Sequence, residues 1–151
     1  MVRATILSML LSASVWAQQP FIPSITALPG PPNRNMYGLY KGFLVRSTDL
    51  GSTWLPVYVT EPGLPQPPVV GFAVDPFEES TLYLATTLAA GAFYKSTDNG
   101  VTWTRANLGL PSGSAAVDFF QQVAANPPFP YLKAGNQLFR SDNRALQWTQ
   151  A

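Results

Sequence analysis

The sequence predicts an all-β protein made of three four-stranded antiparallel repeats. The first observation is an octapeptide, Ser-x-Asp-x-Gly-x-x-Trp, which occurs in full at residues 47–54 and 96–103 and in altered form at 141–148. The second is the spacing of its serines, 49 and 45 residues, which is typical of repeat architectures. The third is that 15 prolines and 11 glycines divide the chain into short β-prone segments, and no helical apolar stripe follows the N-terminal leader.

The octapeptide supplies the chemistry of a tight hairpin turn between the third and fourth strands of each repeat. Its aspartate can accept hydrogen bonds from N–H groups of its own turn, its serine can satisfy another turn group, and its glycine provides a residue with positive φ. The tryptophan folds back over the hairpin, so we expect one packing position filled three times. The residues at these positions are Ser47, Asp49, Gly51, Trp54, Ser96, Asp98, Gly100, Trp103, Ser141, Asn143 and Trp148. In the third copy Ala145 replaces the glycine, which predicts a strained or differently shaped turn.

The flanks of the octapeptide also repeat. A basic residue precedes each serine and a tyrosine lies further upstream, giving the pairs Tyr37 and Arg46, Tyr83 and Lys95, Tyr131 and Arg140. We expect the basic side chains to be solvated and to cover the neighbouring tryptophan.

Four strands are predicted in each repeat from segments rich in Val, Tyr, Phe, Thr and Trp. They lie at 24–28, 35–40, 42–47 and 53–59, then at 69–74, 81–86, 92–96 and 101–107, then at 119–125, 131–134, 137–141 and 146–150. The repeats therefore occupy about 22–60, about 69–108 and about 117–151.

Residues 1–17 have the pattern of a removable signal peptide. Arg3 gives a positive start, residues 4–16 are mostly apolar, and Ala17 precedes Gln18 at the expected cleavage point. The apolar run is short for a membrane span, and we expect no span in the mature chain 18–151. A retained N-terminal anchor is the alternative. The pattern predicts a secreted or periplasmic protein.

The composition excludes several classes of function. The formal charge is +1 and becomes zero without Arg3, which gives no electrostatic reason to bind nucleic acid or an anionic membrane. The chain has no cysteine and no histidine, which excludes Ser-His-Asp and Cys-His catalysis and zinc sites built on thiolate or imidazole. We expect no cofactor, no bound metal and no catalytic residue.

The octapeptide resembles the Asp-box, or BNR repeat, of β-propellers such as sialidases, sortilin-type ectodomains, xyloglucanase-type glycoside hydrolases and photosystem assembly factors. The surrounding pattern, Ala73-Val74-Asp75-Pro76, then Leu82-Tyr83, then residues 93–96, looks most like the sortilin and xyloglucanase branch. The resemblance implies that each repeat is a propeller blade. It also implies that the Asp-box is a folding element on the blade periphery, away from the ligand face.

Three blades are fewer than the four to eight of a closed propeller, which predicts an incomplete or open ring. Three possibilities stay open. The chain can be a piece of a longer protein, it can close a ring by self-association, or it can form an open array.

Catalytic and metal-binding interpretations of the motif are weaker than the turn interpretation. Asp49 and Asp98 are explained as turn residues rather than as paired catalytic carboxylates. Asp98-Asn99-Gly100 lacks the further oxygen ligands of a calcium loop. A sialidase needs an arginine triad. Some arginines of the mature chain lie inside a motif copy or occupy equivalent positions of two repeats, and the remaining arginines do not supply a triad.

The sequence therefore predicts a secreted, non-catalytic scaffold or binding module with a protein or glycan partner. The alternative is a fragment or relative of a BNR-repeat glycoside hydrolase, xyloglucanase-like or sialidase-like. A third possibility is a structural assembly factor that recognises a partner protein through its blade edges.

Overall fold

A computed structural model describes residues 24–27, 35–59, 68–88, 93–113, 115–122 and 129–151. The predicted leader over 1–17 and its cleavage point at Ala17 and Gln18 lie outside these residues. The regular secondary structure within the described ranges consists of β-strands alone. Twelve strands form three separate four-stranded antiparallel sheets.

Each sheet is a simple meander in which strands adjacent in sequence pair with each other. Sheet 1 contains β1 (Ser24–Ala27), β2 (Met36–Tyr40), β3 (Phe43–Ser47) and β4 (Leu55–Pro56). Sheet 2 contains β5 (Val69–Val74), β6 (Leu82–Thr86), β7 (Phe93–Ser96) and β8 (Thr104–Arg105). Sheet 3 contains β9 (Ala116–Gln122), β10 (Phe129–Ala134), β11 (Gln137–Arg140) and β12 (Thr149–Gln150).

The fourth strand of each sheet is shorter than the sequence predicted. β4, β8 and β12 have two residues each, because the octapeptide turn extends to its tryptophan and leaves little chain to pair with the third strand. β4 can include Pro56 because a sheet edge does not require an N–H donor on its outer side. β9 differs at its start, which lies at Ala116 rather than at residue 119.

The repeated tyrosine and basic residue are direct cross-strand partners in all three sheets. Tyr37 pairs with Arg46, Tyr83 with Lys95 and Tyr131 with Arg140. In sheet 2 the Lys95 ammonium lies 5.7 Å from the centroid of the Tyr83 ring. The register thus places a tyrosine beside the basic residue in every sheet, a pairing that the sequence analysis did not predict.

The chain divides into two compact units, Met1–Val57 with sheet 1 and Tyr58–Ala151 with sheets 2 and 3. In the first unit Val45 and Trp54 form a small buried cluster, with Met36 and Tyr40 packed against it.

In the second unit, sheets 2 and 3 pack face to face over one apolar core. Phe93 of sheet 2 lies at its centre, with its ring centroid 5.1 Å from that of Phe119 and 4.7 Å from that of Trp148. The Phe93–Trp148 contact is edge-on, an arrangement that the aromatic quadrupoles favour. The buried members of this core are Tyr83, Ala85, Phe93, Ala116, Phe119, Leu132, Ala134, Phe139, Ala145 and Trp148.

A connector after β8 holds the last strand of sheet 3. The Trp148 N–H donates to the Leu108 carbonyl at 2.8 Å. Gly109 has φ +92°, and a Cβ added there would overlap the Trp148 carbonyl oxygen. Glycine is required at this position by both its backbone conformation and the close approach of another backbone.

We expect Gly109→Ala to lower the free energy of unfolding by about 2–5 kcal/mol, because it adds a backbone clash to the cost of a left-handed alanine. Gly113→Ala is the matched control, since Gly113 also has positive φ (+75°) but no heavy atom within 4 Å of an added Cβ. The control should cost only about 1–2 kcal/mol. Urea unfolding of both variants measures the difference, and equal losses would contradict the role assigned to the close approach.

The three tryptophans do not fill one packing position, contrary to the sequence prediction. The indole N–H groups of Trp54 and Trp103 each donate to the glycine carbonyl of their own turn, at 3.1 Å. The Trp148 indole instead donates across the sheet interface to the Ala106 carbonyl at 2.7 Å. Trp54 and Trp148 are buried, whereas Trp103 is half-buried.

Trp148→Ala should therefore lower the free energy of unfolding by about 3–5 kcal/mol, since it removes a buried aromatic side chain and its partly buried hydrogen bond. Trp103→Ala should cost less than about 2 kcal/mol, because that side chain is only partly buried. Chemical denaturation followed by circular dichroism checks the order. A larger loss for Trp103→Ala would show that the half-buried ring is core.

Candidate functional site

The first two octapeptides form the same hydrogen-bonded turn. Ser47 Oγ donates to Asp49 Oδ1 at 2.8 Å and accepts the Gly51 N–H at 2.8 Å. Asp49 Oδ1 also accepts the Thr53 N–H at 2.8 Å, and Thr53 Oγ1 donates to Oδ2 at 2.6 Å. Ser96, Asp98, Gly100 and Thr102 repeat each of these bonds. The serine and aspartate thus satisfy N–H groups that the hairpin cannot use in its ladder.

Each turn contains two successive residues with positive φ. They are Leu50 and Gly51 at 59° and 88°, Asn99 and Gly100 at 61° and 80°, and Arg144 and Ala145 at 57° and 61°. The sequence identified the glycine position but not the residue before it, because leucine and arginine carry no signal for the left-handed region.

The third turn keeps the geometry of the other two in spite of its substitutions. Ser141 Oγ donates to Asn143 Oδ1 and accepts the Ala145 N–H, both at 2.9 Å, and Asn143 Oδ1 accepts the Gln147 N–H at 2.9 Å. The turn is therefore strained at Ala145 rather than differently shaped. A left-handed alanine costs about 1–2 kcal/mol, which is partly offset because the Ala145 methyl group is buried in the core between sheets 2 and 3.

The turn hydrogen bonds stabilise the ionised form of both aspartates. Side-chain and backbone donation from Thr53, with further donation from Ser47, lowers the pKa of Asp49 to about 2. The same donation from Thr102 lowers the pKa of Asp98 to about 2. A general acid needs a raised pKa, so these carboxylates have the opposite of the required property.

A second polar cluster lies between sheets 2 and 3, where the third turn meets sheet 2. Asp75, which is 0% exposed, accepts the Tyr83 hydroxyl at 2.9 Å and the N–H groups of Phe77 at 2.9 Å and Glu78 at 3.2 Å. Arg144 Nε lies 3.8 Å from the Asp75 carboxylate, and Arg144 Nη1 binds Glu78 Oε1. The arginine of the third turn thus docks on two acids of sheet 2.

Lys95 completes this cluster from the opposite side. Its ammonium donates to the Arg144 carbonyl at 3.0 Å. Burial lowers the pKa of Lys95, whereas burial and the Asp75 charge raise the pKa of Tyr83. The charged groups of this cluster bind one another, and these contacts hold the third turn against sheet 2.

The sequence did not single out this cluster as a site. Arg144 lies inside the third octapeptide, and Glu78 is an exposed residue of the turn between β5 and β6 that binds it. A usable signal was present in Asp75, an acid that follows an apolar strand and precedes a proline. Its partner, however, lies 69 positions along the chain, and only the packing of the sheets identifies it.

Neither cluster has the arrangement of an open catalytic or metal site. Across the parts of the chain that the structure describes, no three Asp or Glu side chains are grouped closely enough to hold a metal ion. The same parts contain no helix long and apolar enough to cross a bilayer. The octapeptide residues instead build one turn on each sheet.

Comparison with solved structures identifies the fold. An ancestral GH74 enzyme superposes with a TM-score of 0.63 at 16% identity, over 86% of this chain and 18% of that one. The fold is that of β-propeller blades. The GH74 xyloglucanase from Xanthomonas campestris gives 0.53 at 18% identity, over 85% and 23%, and YCF48 from Cyanidioschyzon merolae gives 0.56 at 14%, over 89% and 38%.

These propeller neighbours therefore include both enzymes and YCF48, and a structure of YCF48 bound to D1 peptide also matches, with a TM-score of 0.57 at 13% identity. The chain spans less than half the length of each of these proteins. No protein-family model and no curated protein matches the chain. At these identities the likeness establishes the blade fold alone.

The pKa values of the turn aspartates predict a specific acid sensitivity. Because the folded pKa of about 2 lies below the ordinary value of 3.8, both carboxylates stabilise the fold above pH about 4, and this stabilisation is lost as the pH falls towards about 2. Replacing Asp49 and Asp98 together by Asn should flatten the fall of the thermal midpoint over that range, since Asn143 shows that an amide supports the turn. Asp142→Asn, at an exposed position inside the third octapeptide, is the control, because Asp142 is not one of the two aspartates that the turns hold, and it should leave the fall unchanged.

Proposed function

We propose that this protein is a non-catalytic Asp-box β-propeller scaffold or binding module that acts outside the cytoplasm and recognises a protein or glycan partner. The observation that supports this most directly is the state of its carboxylates. Asp49 and Asp98 are tied into their turns, and Asp75 and Glu78 are engaged by Arg144 and by neighbouring donors. Glycoside hydrolysis needs two carboxyl groups that face a substrate, one of them with a raised pKa.

The assignment to the Asp-box group, with sortilin-like and xyloglucanase-like propellers as the nearest pattern, rests on the repeated octapeptide and its turn geometry. Secretion rests on the charged and apolar pattern of residues 1–17. Binding without catalysis is compatible with this fold, since one propeller neighbour is a YCF48 structure with a bound peptide. The proposal of a protein or glycan partner rests on the octapeptide pattern, the leader pattern and the peptide-bound neighbour taken together.

A second candidate function is a piece or relative of a glycoside hydrolase. It is favoured by one observation, namely that the solved structures matching this chain include GH74 enzymes. Among the described residues, the carboxylates outside the turn and interface networks are Glu79, Asp118 and Asp142, and a hydrolase would have to draw on these or on acids of another chain.

The two functions are separated by measuring turnover and binding on the same purified protein. Xyloglucan is incubated with the protein and reducing ends are counted, while a glycan array and a peptide display library report binding. We expect binding without release of reducing ends. Turnover that disappears in Glu79→Gln or Asp118→Asn, but persists in Asp98→Asn, would establish the hydrolase instead.

A further inference from the structure

One face of sheet 3 corresponds to the face of sheet 2 that packs against sheet 3, but it carries different residues. The register defines the correspondence. Tyr83 pairs with Lys95 in sheet 2, and Tyr131 pairs with Arg140 in sheet 3. We call this surface the outer face of sheet 3, and it consists of Asp118, Phe120, Tyr131, Lys133, Leu138 and Arg140.

The contact between sheets 2 and 3 requires small residues at two positions of sheet 2. Gly71 and Ala85 are cross-strand partners there. A Cβ added at Gly71 would lie 3.0 Å from the Phe119 Cβ, so the facing sheet approaches closely. The same two positions of the outer face carry Asp118 and Lys133, which are also cross-strand partners and are both exposed. The outer face therefore lacks the surface that accepts another sheet in the second unit.

Phe120 and Tyr131 form a stacked aromatic pair beside these two charges. Their ring centroids lie 4.9 Å apart and their planes are 6° apart, so Tyr131 covers one face of the Phe120 ring. Phe120 lies on β9, an edge strand, so no further strand of sheet 3 lies on its other side, and its side chain is 51% exposed. An exposed aromatic ring presents an electron-rich face to polarised C–H groups.

The two charged side chains keep polar atoms that the protein does not use. Asp118 Oδ1 accepts the Phe119 N–H at 2.8 Å, which fixes the carboxylate beside its strand. In the part of the chain that the structure describes, no hydrogen bond or ion pair engages the second oxygen of Asp118 or the ammonium of Lys133. Neighbouring side chains on one face of a sheet lie about 5–7 Å apart, so both charges are within reach of a ligand that contacts Phe120.

A carboxylate and an ammonium side by side are complementary to a neutral ligand that is rich in hydroxyl groups. Each hydroxyl group both donates and accepts, so adjacent hydroxyls of one sugar can bind Asp118 and Lys133 together. An acidic peptide would meet the like charge of Asp118, and a basic peptide would meet that of Lys133. Arg140, the third charge of this face, is already engaged in an interaction of its own.

We propose that Asp118, Phe120, Tyr131 and Lys133 form a binding site for a neutral saccharide. This inference rests on the proposed function, from which it selects the glycan partner and to which it adds a site. The C–H face of a pyranose ring stacks on Phe120, which Tyr131 holds in place, while the two charged side chains bind its hydroxyl groups. An open site of this size binds a single sugar with a dissociation constant on the order of 1 mM.

The first test is an NMR titration of the purified protein with three neutral oligosaccharides, cellohexaose, mannohexaose and xylohexaose. We expect at least one of them to bind and to shift the ring resonances of Phe120 and Tyr131. If none binds up to about 10 mM, tenfold above the expected dissociation constant, the inference is overturned. A peptide selected from a display library would in that case leave the proposed function standing, whereas binding of neither class would overturn both.

Phe120→Leu separates ring stacking from general apolar contact. Leucine keeps an apolar side chain but has no ring face, so the affinity for the bound saccharide should fall at least about tenfold, whereas Phe120→Trp should retain it. Phe77→Leu is the matched control, since Phe77 is 50% exposed but lies in the turn between β5 and β6, and it should change the affinity less than about twofold. Circular dichroism confirms that each variant is folded. Unchanged affinity in a folded Phe120→Leu protein would overturn the assigned site.

The charged pair is tested by neutral substitutions and by salt. Asp118→Asn and Lys133→Gln should each weaken saccharide binding about threefold to tenfold, because each removes a charge-assisted hydrogen bond at an exposed site. Binding by the original protein should be the same at about 50 mM and about 500 mM NaCl, because the ligand carries no charge. If an acidic peptide binds instead, and its affinity falls with salt and in Lys133→Gln, the assignment to a neutral saccharide is wrong.

Discussion

The left-handed pair of residues in each octapeptide turn is the constraint on which the sheets depend. Two successive residues with positive φ reverse the chain between the third and fourth strands, and they leave backbone N–H groups without ladder partners. One serine oxygen and one side-chain oxygen two residues later accept these groups in all three sheets. The fourth strand can therefore be as short as two residues, because the turn itself fixes the direction of the chain.

Packing between sheets uses the same turn a second time. In sheet 3 the turn supplies Arg144 to the acids of sheet 2, its own carbonyl to Lys95, and the Ala145 methyl group to the shared core. The strain of a left-handed alanine is tolerated there because the methyl group is buried at an interface. A motif that is local in sequence thus becomes the docking element of a whole sheet.

Each turn residue already serves the hairpin or the packing between sheets, and for this reason we propose a function in which the turn residues are not catalytic. The carboxylates that the repeat places regularly have lowered pKa values and occupied oxygens, and the buried carboxylate of sheet 2 is held by three donors and an arginine. Groups in this state stabilise a fold and are poorly suited to transfer protons. Recognition is then left to surfaces, and one such surface of the second unit is the stacked pair of Phe120 and Tyr131 on sheet 3, where Phe120 is 51% exposed.

The sequence alone determined the repeat, the strand order and the chemistry of the turns, because these depend on residues within about ten positions of each other. Ser47, Asp49 and Gly51 find their partners within the same octapeptide, so their pattern predicts their bonds. The tertiary structure decided how residues at the same motif position differ in their contacts. Trp103 and Trp148 occupy the same motif position, but the Trp103 indole donates within its own turn whereas the Trp148 indole donates to the Ala106 carbonyl beside sheet 2. Asp75 meets Arg144 only when two sheets pack. Burial and ion pairing between distant residues depend on which faces meet, and a periodic sequence does not specify that choice.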